Sequence, residues 1–375
     1  MNRIGLTSTL NTVILICFLC AFSTPSNGQV TEKETKNTIK IGLLIADSSS
    51  VEAKFGAEYA VKTINKEGGL AGRQLEILTR SMEGPWGKGS KQAVDLIFDE
   101  NVWAILGLHE GRNAHLVEQV IAKTKIVFLS AWAADPTLAQ AYVPWYFSAA
   151  PNSLQQAEVI LNDLNVQKDR YPWMVVSENG YDSSVAYKNL RSHIDEDEMN
   201  SHTHLSIEKP EDFSAVYQNI RQSNIKALVI FGQTNLSWQL IEYLRSKNVS
   251  IPFYGNLSLL GEGVFDDLAD KDFRNVFLIS NGNWINREPS SFSRDFQKIF
   301  GRSPGAMAAY AHDGILLLAA AIESSGFDRE NLQSSLSETD MTGMTGKIQF
   351  DAHGNRKGLP DLIEINSKNL YPARP

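Results

Sequence analysis

Short apolar runs alternate with longer amphipathic stretches along most of the chain. The first apolar run covers residues 39–45 and ends in a polar Asp-Ser-Ser-Ser sequence, as is typical of a buried strand followed by a loop. Residues 51–67 then carry apolar side chains at helical spacing, and the glycine pair at 68–69 ends the predicted helix. This strand–loop–helix order predicts the start of an α/β fold.

The alternation forms two series along the chain. In the first series, strands are predicted at 39–45, 74–78, 102–106 and 126–129, and helices at 51–67, 91–99 and 112–122. In the second, strands are predicted at 173–176, 203–206, 227–231 and 276–279, and helices at 153–164, 183–193, 213–221 and 237–246. Short apolar strands separated by amphipathic helices indicate parallel sheets covered on both faces. The sequence therefore predicts an α/β protein with two doubly wound parallel-sheet lobes.

The last third of the chain departs from this order. Two helices follow each other at 292–300 and 306–324, and the second contains the uninterrupted apolar stretch ILLLAAA. A helix this apolar is predicted to be buried, so we expect the chain to return there to the first lobe. Closing strands are predicted at 347–350 and 362–365. The expected division is a first lobe of residues 39–148 and 283–340, and a second lobe of residues 149–282 and 341–375.

The first residues have the layout of a secretory signal peptide. Arg3 is followed by an unbroken apolar run at 13–22 and then by small residues, with cleavage expected near Gly28. The apolar run is too short for a transmembrane helix, which needs about 20 residues. Residues 1–28 are therefore predicted to be removed on export to the periplasm or another extracytoplasmic space. Residues 29–38 are predicted to be a polar linker.

Composition narrows the functional classes. Both cysteines, Cys17 and Cys20, lie in the predicted signal peptide, so the mature chain would have no disulfide and no cysteine metal site. A hydrophobic content of 43% is that of an ordinary folded protein. The formal net charge of −8 argues against a nucleic-acid partner, because phosphate binding requires a basic surface.

Motifs for catalysis or cofactor binding are weak. The first strand is not followed by the glycine-rich turn of a dinucleotide site, and neither a P-loop nor a Gly-x-Ser-x-Gly elbow occurs. His202 and His204 share one face of a predicted strand, but a solvated edge strand explains them better than a metal site. We therefore expect no cofactor, no bound metal and no catalytic residue. A hydrolase stays open as an alternative, because catalytic triads assemble in space rather than along the sequence.

The loops after the predicted strands are the expected ligand site, because ligands of doubly wound sheets bind outside the carboxyl ends of the strands. These loops are 47–50, 84–87, 108–113 and 130–133 in the first series, and 178–182, 233–235, 256–258 and 281–284 in the second. Helices begin directly after several of them, and free N–H groups at a helix N-terminus suit a carboxylate. Many of the Asn, Ser and Asp residues in these loops would equally serve as helix caps.

Several segments carry a resemblance to a known family. They include INKEGGLAGRQL at 64–75, YAHDG at 310–314 and GKIQFD at 346–351. The chain resembles the leucine/isoleucine/valine-binding protein family, the type I periplasmic solute receptors of ABC importers. The likeness runs from about residue 40 to residue 365. It implies two lobes joined by a three-stranded hinge, which close on a small solute and present it to a membrane permease.

The resemblance also assigns positions in the cleft. Amino-acid receptors of this family hold the solute carboxylate with hydroxyl residues after the third and fourth strands, where this chain has Gly111 and Ser130. The acid and tyrosine that clamp the amino group correspond to Leu257 and Thr234, so that clamp is absent by this match. An unpaired buried ammonium is costly. Either Glu110, Glu178 or Asp182 replaces the missing acid, or the solute carries no amino group.

Arg112 favours the second option, because a guanidinium can hold a carboxylate bidentately, although a solvated role in the first helical turn fits it equally well. Trp86, Trp132 and Trp284 are suited to stacking on an apolar or aromatic solute, with packing between the lobes as the alternative. The predicted ligand-binding residues are Ser49, Phe55, Trp86, Glu110, Gly111, Arg112, Asn113, Ser130, Trp132, Ala133, Tyr181, Asp182, Thr234, Asn256 and Leu257.

These observations predict a binding protein rather than an enzyme. The expected function is that of an extracytoplasmic receptor for an ABC importer. Its solute would carry a carboxylate and be an amino acid, such as a branched-chain one, or an aromatic or apolar acid. The expected partners are this solute and the importer's permease, and the protein is expected to be a monomer. The alternatives are a ligand-sensing receptor lobe for a signalling partner and, less favoured, a hydrolase on the same fold.

Overall fold

Two large β-sheets organise the part of the chain that the structure describes. The computed structural model describes residues 38–85, 87–194, 202–263, 274–282, 284, 290–366 and 369–372. The predicted signal peptide at 1–28, the linker as far as residue 37 and Trp86 lie outside the described residues. Each sheet together with the helices packed on it is called a lobe below.

The first sheet has five parallel strands in the order β2-β1-β3-β4-β5. Its strands are β1 (Thr38–Ile45), β2 (Gln74–Ser81), β3 (Ala104–Leu108), β4 (Val127–Ser130) and β5 (Tyr146–Ser148). The helices between them are α1 (Val51–Lys66), α2 (Lys88–Phe98), α3 (Gly111–Thr124) and the single turn α4 (Thr137–Gln140). All residues of β3 and β4 are buried, which explains their continuous apolar sequence.

The second sheet contains five parallel strands and two antiparallel ones at one edge, in the order β14-β13-β10-β9-β8-β6-β7. Its parallel strands are β6 (Trp173–Glu178), β7 (Thr203–Ile207), β8 (Ala227–Phe231), β9 (Phe253–Gly255) and β10 (Val276–Ser280). Its helices are α5 (Ser153–Val166), α6 (Tyr181–Arg191), α7 (Phe213–Gln222) and α8 (Thr234–Ser246). The two parallel-sheet lobes predicted from the sequence pattern are confirmed.

The C-terminal third supplies helices to the first lobe and strands to the second. Its helices are α9 (Ser291–Phe300), α10 (Ala306–Ser324) and α11 (Leu332–Ser337). A hairpin of β11 (Asp340–Gly343) and β12 (Gly346–Gln349) precedes β13 (Asp361–Asn366) and β14 (Asn369–Pro372). The exact lobe boundaries drawn from the sequence stay a prediction.

Helix α10 packs along α1, so the chain does return to the first lobe as predicted. The two helices approach so closely that a β-carbon built at Gly56 would lie 2.0 Å from the carbonyl oxygen of Ala308. By length and composition α10 would also pass for a membrane-spanning helix, the one such helix within the described residues. Most of it is buried inside the protein, as expected of a core helix.

A buried polar network lies where the chain passes between the lobes. Both carboxylate oxygens of Asp313 on α10 accept hydrogen bonds from the turn between β11 and β12, including the Thr345 N–H and hydroxyl at 2.7 Å each. Arg356 donates to the Thr345 carbonyl at 2.5 Å, to the Lys347 carbonyl at 2.9 Å and to the Ala149 carbonyl at 2.8 Å. Because Ala149 directly follows β5, this arginine ties together two of the segments that connect the lobes.

Candidate functional site

The N-termini of α1 and α3 lie at the same edge of the first sheet. Both helices begin directly after parallel strands, α1 after β1 and α3 after β3. Their first N–H groups have no partner within the helix and carry the positive end of the helix dipole. Each N-terminus contacts a carboxylate from the second lobe, so this edge is where the two lobes meet.

At the α3 N-terminus, the backbone N–H of Gly111 donates to the carboxylate of Asp182. Both carboxylate oxygens lie 3.1 Å from the Gly111 nitrogen. Asp182 belongs to the first turn of α6, which follows β6 in the second sheet. The neighbouring Tyr181 hydroxyl donates to Asp135 Oδ2 at 2.7 Å, in the loop after β4. The structure thus brings together three residues predicted from the sequence, namely Gly111, Tyr181 and Asp182.

A charged network supports this contact from the first lobe. Asp135 accepts hydrogen bonds from His115 Nε2 at 2.9 Å and from the Thr137 hydroxyl at 2.7 Å. His115 Nδ1 lies 3.1 Å from Glu118 Oε2. Hydrogen bonds to Asp135 and then to Glu118 raise the pKa of His115 to about 9, so it is a cation at neutral pH. Burial acts to raise the pKa of Asp135, but bonds from His115, Tyr181 and Thr137 outweigh it and lower that pKa to about 2.

The α1 N-terminus holds a second carboxylate from the other lobe. Glu262 accepts hydrogen bonds from the backbone N–H groups of Glu52 and Ala53, both at 2.9 Å. Glu262 lies just beyond the single 3₁₀ turn Leu257–Leu260 that follows β9. Burial, and then the charge of Glu52, raise the pKa of Glu262 to about 7. Because Glu262 belongs to the second lobe and α1 to the first, its hydrogen bonds also join the lobes.

The side chain of Glu52 is itself completely buried beside the Glu262 contact. It accepts hydrogen bonds from Arg302 at 2.5 Å and from the Gly305 N–H at 2.9 Å. The Gly263 N–H donates at 3.4 Å to Glu52 Oε1, the oxygen that also accepts from Arg302. Burial raises the pKa of Glu52 in spite of these partners.

Residues after β4 form the next part of the first-lobe wall. Ser130 ends β4 and is fully buried, and its hydroxyl has no hydrogen-bond partner among the described residues. Trp132 packs edge-to-face on Tyr310 with ring centroids 5.8 Å apart. A β-carbon at Gly261 of the second lobe would lie 3.8 Å from the Trp132 ring, so this indole packs between the lobes. Ala133 is buried beside it.

The second-lobe wall near β9 contains three further residues that were predicted to bind ligand, Thr234, Asn256 and Leu257. Asn256 directly follows β9, and its buried Oδ1 has no hydrogen-bond partner in the part of the chain that is described. Leu257 is buried, and its N–H donates to Gln156 Oε1 at 2.9 Å. The Thr234 hydroxyl donates to the Ser258 carbonyl at 3.1 Å. Neither Leu257 nor Thr234 carries a charge that could pair with an ammonium group.

Other predicted residues lie apart from these contacts. Phe55 packs in an aromatic cluster, with ring centroids 4.8 Å from Phe296 and 5.4 Å from Phe292, which accounts for its burial without a ligand. Ser49 is exposed and bonded to Asp47 in its own loop. Three further predicted residues, at the start of α3, are not buried: Glu110, Arg112 and Asn113. Trp86 lies outside the described residues.

Sequence reasoning missed the residues that pair with the predicted ones. Asp135 has a readable signal, since Asp-Pro-Thr after a strand is a turn and cap sequence. Glu52 sits in the first turn of a predicted helix, where acidic residues are common. Glu262 carries no local signal, because its partners are some 210 residues away in the chain.

His204 lies on β7 and His202 directly precedes it, and both side chains are half-buried rather than fully solvated. The His202 ring stacks on Trp173 and the His204 ring on Tyr187, both with centroids 3.7 Å apart. β7 is the last strand of its sheet. Among the described residues, no group of three or more His, Cys, Asp or Glu side chains could hold a metal ion.

Solved structures share this architecture. The LivJ branched-chain amino acid transporter substrate binding protein from Streptococcus pneumoniae, in complex with isoleucine, has a TM-score of 0.77 and 20% identity over 89% of this chain and 97% of that chain. The LivK leucine binding protein from Thermotoga maritima has a TM-score of 0.75 and 15% identity over 90% and 98%. The ABC transporter solute binding protein from R. palustris, in complex with benzoate, has a TM-score of 0.75 and 16% identity over 90% and 95%. At these identities the likeness establishes the fold.

The sequence comparisons establish the family. No curated protein matches the chain. The family model described as periplasmic binding protein matches residues 38–360, which is nearly all of the described part. The resemblance drawn from the sequence motifs is thereby confirmed, and so is the type I fold that it implied. This chain belongs to the periplasmic binding protein family.

Proposed function

We propose that this protein is the extracytoplasmic receptor of an ABC importer and that it closes on a small carboxylate-bearing solute between its lobes. The observation that carries this proposal is the contact at Gly111. Its backbone N–H already holds a carboxylate, that of Asp182, with both oxygens at 3.1 Å. A solute carboxylate would meet the same donor and the same helix dipole.

Glycine at position 111 supports a carboxylate site. A β-carbon there would lie 2.9 Å from Asp135 Cβ and 3.0 Å from Asp182 Oδ1, so any larger residue would obstruct the approach to the N–H. The buried Ser130 hydroxyl at the end of the adjacent strand offers a second donor with no partner of its own among the described residues. A carboxylate bound by both groups would gain charge-assisted hydrogen bonds in a site shielded from water.

The cleft offers an uncharged acceptor and apolar surface opposite the carboxylate. Asn256 Oδ1 is a buried acceptor that can bind an N–H or O–H of the solute. Leu257 and Trp132 add apolar surface. Related structures with this fold are complexes with isoleucine and with benzoate, which are both carboxylates. We therefore place the solute among amino acids and aromatic or apolar acids.

A matched screen of acids and amides tests this proposal. Isoleucine, leucine and benzoate are compared with isoleucinamide, leucinamide and benzamide by thermal unfolding and calorimetric titration. An acid that binds raises the unfolding temperature, because a ligand at about 100 times its Kd adds about 2.7 kcal/mol of stability. Its amide is expected to give no shift. Amides that bind as well as acids, or no binding by any acid, would contradict a carboxylate receptor.

Replacing the Ser130 hydroxyl tests its role as a donor. Ser130→Ala is expected to weaken binding of the acid found in the screen by about tenfold or more, because a hydrogen bond to a charged group contributes about 1.5–3 kcal/mol. Titration calorimetry measures the change. Ser177→Ala is the matched control, since Ser177 is also a buried strand serine but bonds to His204 at 2.8 Å in the second lobe. Equal affinity losses in the two variants would speak against Ser130 as a solute contact.

A further inference from the structure

Two carboxylates of the second lobe each reach a helix N-terminus of the first lobe. Asp182 from α6 reaches the N-terminus of α3, and Glu262 from beyond β9 reaches the N-terminus of α1. Both acceptors come from the second lobe and both sets of N–H donors from the first. The two contacts share the chemistry by which such a protein would grip an anionic solute, but here the anion is covalently part of the chain.

We propose that Asp182 and Glu262 are two intramolecular latches, which close the second lobe onto the N-termini of α3 and α1 before any solute binds. The four hydrogen-bonding distances, between 2.9 and 3.1 Å, are those of well-formed bonds. In the closed form, removing a latch leaves the donor N–H groups of Gly111, Glu52 or Ala53 without a partner. Buried donors left in that state destabilise the form that contains them.

The Asp182 latch has a consequence for binding, which rests on the proposed function. Its carboxylate occupies the same Gly111 N–H that a solute carboxylate would use. A solute carboxylate can bind this N–H only after the Asp182 carboxylate has dissociated from it. Asp182 is therefore an intramolecular competitor that lowers the apparent affinity for solute. The Glu262 latch lies at α1 and keeps the lobes in contact while Asp182 exchanges for solute.

Protonation of Asp182 is expected to favour the closed form, because it removes a buried charge, even though the Gly111 hydrogen bond itself is stronger to the ionised carboxylate. Burial, followed by the nearby charges of Glu110 and Asp135, raises the pKa of Asp182 to about 6 against the opposing effects of the Gly111 N–H and the His115 cation. In an open form this carboxyl is solvated and has its ordinary pKa near 3.8. The closed form therefore binds the proton more tightly, so this contribution to closure is complete below about pH 3.8 and is lost as the pH rises to about 6.

The Glu262 latch responds in the same direction at a higher pH. The charged groups that face it are Glu52, whose charge raises its pKa, and Arg302, whose charge lowers it. With burial as the largest effect, its pKa in the closed form is about 7, against 4.5 for an ordinary glutamate. From the raised pKa values of Asp182 and Glu262 we expect the lobes to be more closed at mildly acidic pH than at alkaline pH.

The distance between the lobes, measured without any solute, reports whether the two latches hold the protein closed. Spin labels are attached to cysteines at two exposed positions, Gln119→Cys on α3 and Lys188→Cys on α6. The native cysteines are replaced, as Cys17→Ser and Cys20→Ser, so that only these two positions are labelled. Double electron–electron resonance gives the distribution of distances between the two spin labels at pH 5.5 and pH 8. Asp182→Ala with Glu262→Ala removes the acceptors, whereas Asp182→Asn with Glu262→Gln keeps an acceptor oxygen and removes the charge. Asp212→Ala is the control, because Asp212 bonds to N–H groups of its own lobe.

The two double variants are expected to shift in opposite directions. The alanine pair should show the longer distance at both pH values, and the amide pair the shorter distance at both. The parent chain and the Asp212→Ala control should move from shorter to longer as the pH rises. A distance distribution of the alanine pair that matches the parent at pH 5.5 would overturn the latches. Since no solute is present, that result would leave the receptor proposal standing, and a failed solute screen would leave the latches standing.

Discussion

An Asp313→Ala variant is expected to lose about 3–5 kcal/mol of its free energy of unfolding, as when one partner of a buried charged network is removed. Asp313 is 1% exposed, and its carboxylate accepts the N–H groups of Met344 and Thr345 as well as the Thr345 hydroxyl. Alanine would leave these donors unpaired in a buried site and would remove one of the two carboxylates, those of Asp313 and Asp361, that interact with the Arg356 guanidinium.

Urea denaturation measures the loss, with Asp328→Ala as the control. Asp328 is exposed and also accepts a backbone N–H, from Glu330 at 2.9 Å, so the same substitution there removes a solvated bond only. That variant is expected to lose about 1 kcal/mol or less. If both variants lost the same amount, the buried network would contribute nothing beyond an ordinary surface turn.

A Gly56→Ala variant is expected to lose about 3 kcal/mol of unfolding free energy, at the upper end of the effects of overpacking a core. The added β-carbon would lie 2.0 Å from the carbonyl oxygen of Ala308, which is backbone and cannot rotate away. Helices α1 and α10 would have to separate. That separation would disturb the packing that positions the N–H groups of Glu52 and Ala53.

Gly89→Ala is the matched control for this substitution. Its β-carbon would lie 2.2 Å from the terminal methyl of Met82, which is the end of a flexible side chain. Because the methionine can move and alanine is the better helix former by about 1 kcal/mol, stability should change little or increase. Thermal and urea unfolding of both variants decide the matter. A Gly56→Ala protein as stable as the parent would mean that the α1–α10 contact is loose.

The helices and strands that could be predicted are those long enough for their hydrophobic pattern to be recognised in the sequence. Strands β3 and β8 are continuous apolar runs, β1 is apolar from Ile41 to Ile45, and α10 is apolar on nearly all sides, so burial itself is visible in their sequences. Strands β5 and β9 have three residues each, which is too short for any periodicity to show. Strand β14 pairs antiparallel at the sheet edge, where packing rather than sequence pattern decides the partner.

The candidate site was predictable only where its residues follow strands. Gly111, Tyr181 and Asp182 lie directly after β3 and β6, and the fold rule for ligand positions points to them. Their pairing across the lobes did not follow from the sequence, because a contact between distant loops depends on how two lobes are oriented. Phe55 also has the helical spacing of a core residue, and it packs in the aromatic cluster, so a role in ligand binding stays a prediction.

The contacts of Arg356 have a mechanical consequence for any opening of the protein. This side chain is 3% exposed and grips the backbone of two connecting segments through Ala149, Thr345 and Lys347. Three donated bonds to buried backbone carbonyls resist torsion, so those segments are expected to turn as a single rigid unit. The dihedral changes of a lobe rotation must then fall on residues beyond these gripped positions. Spectroscopic probes placed there would report the motion, whereas substitutions beside Arg356 would mainly destabilise the fold.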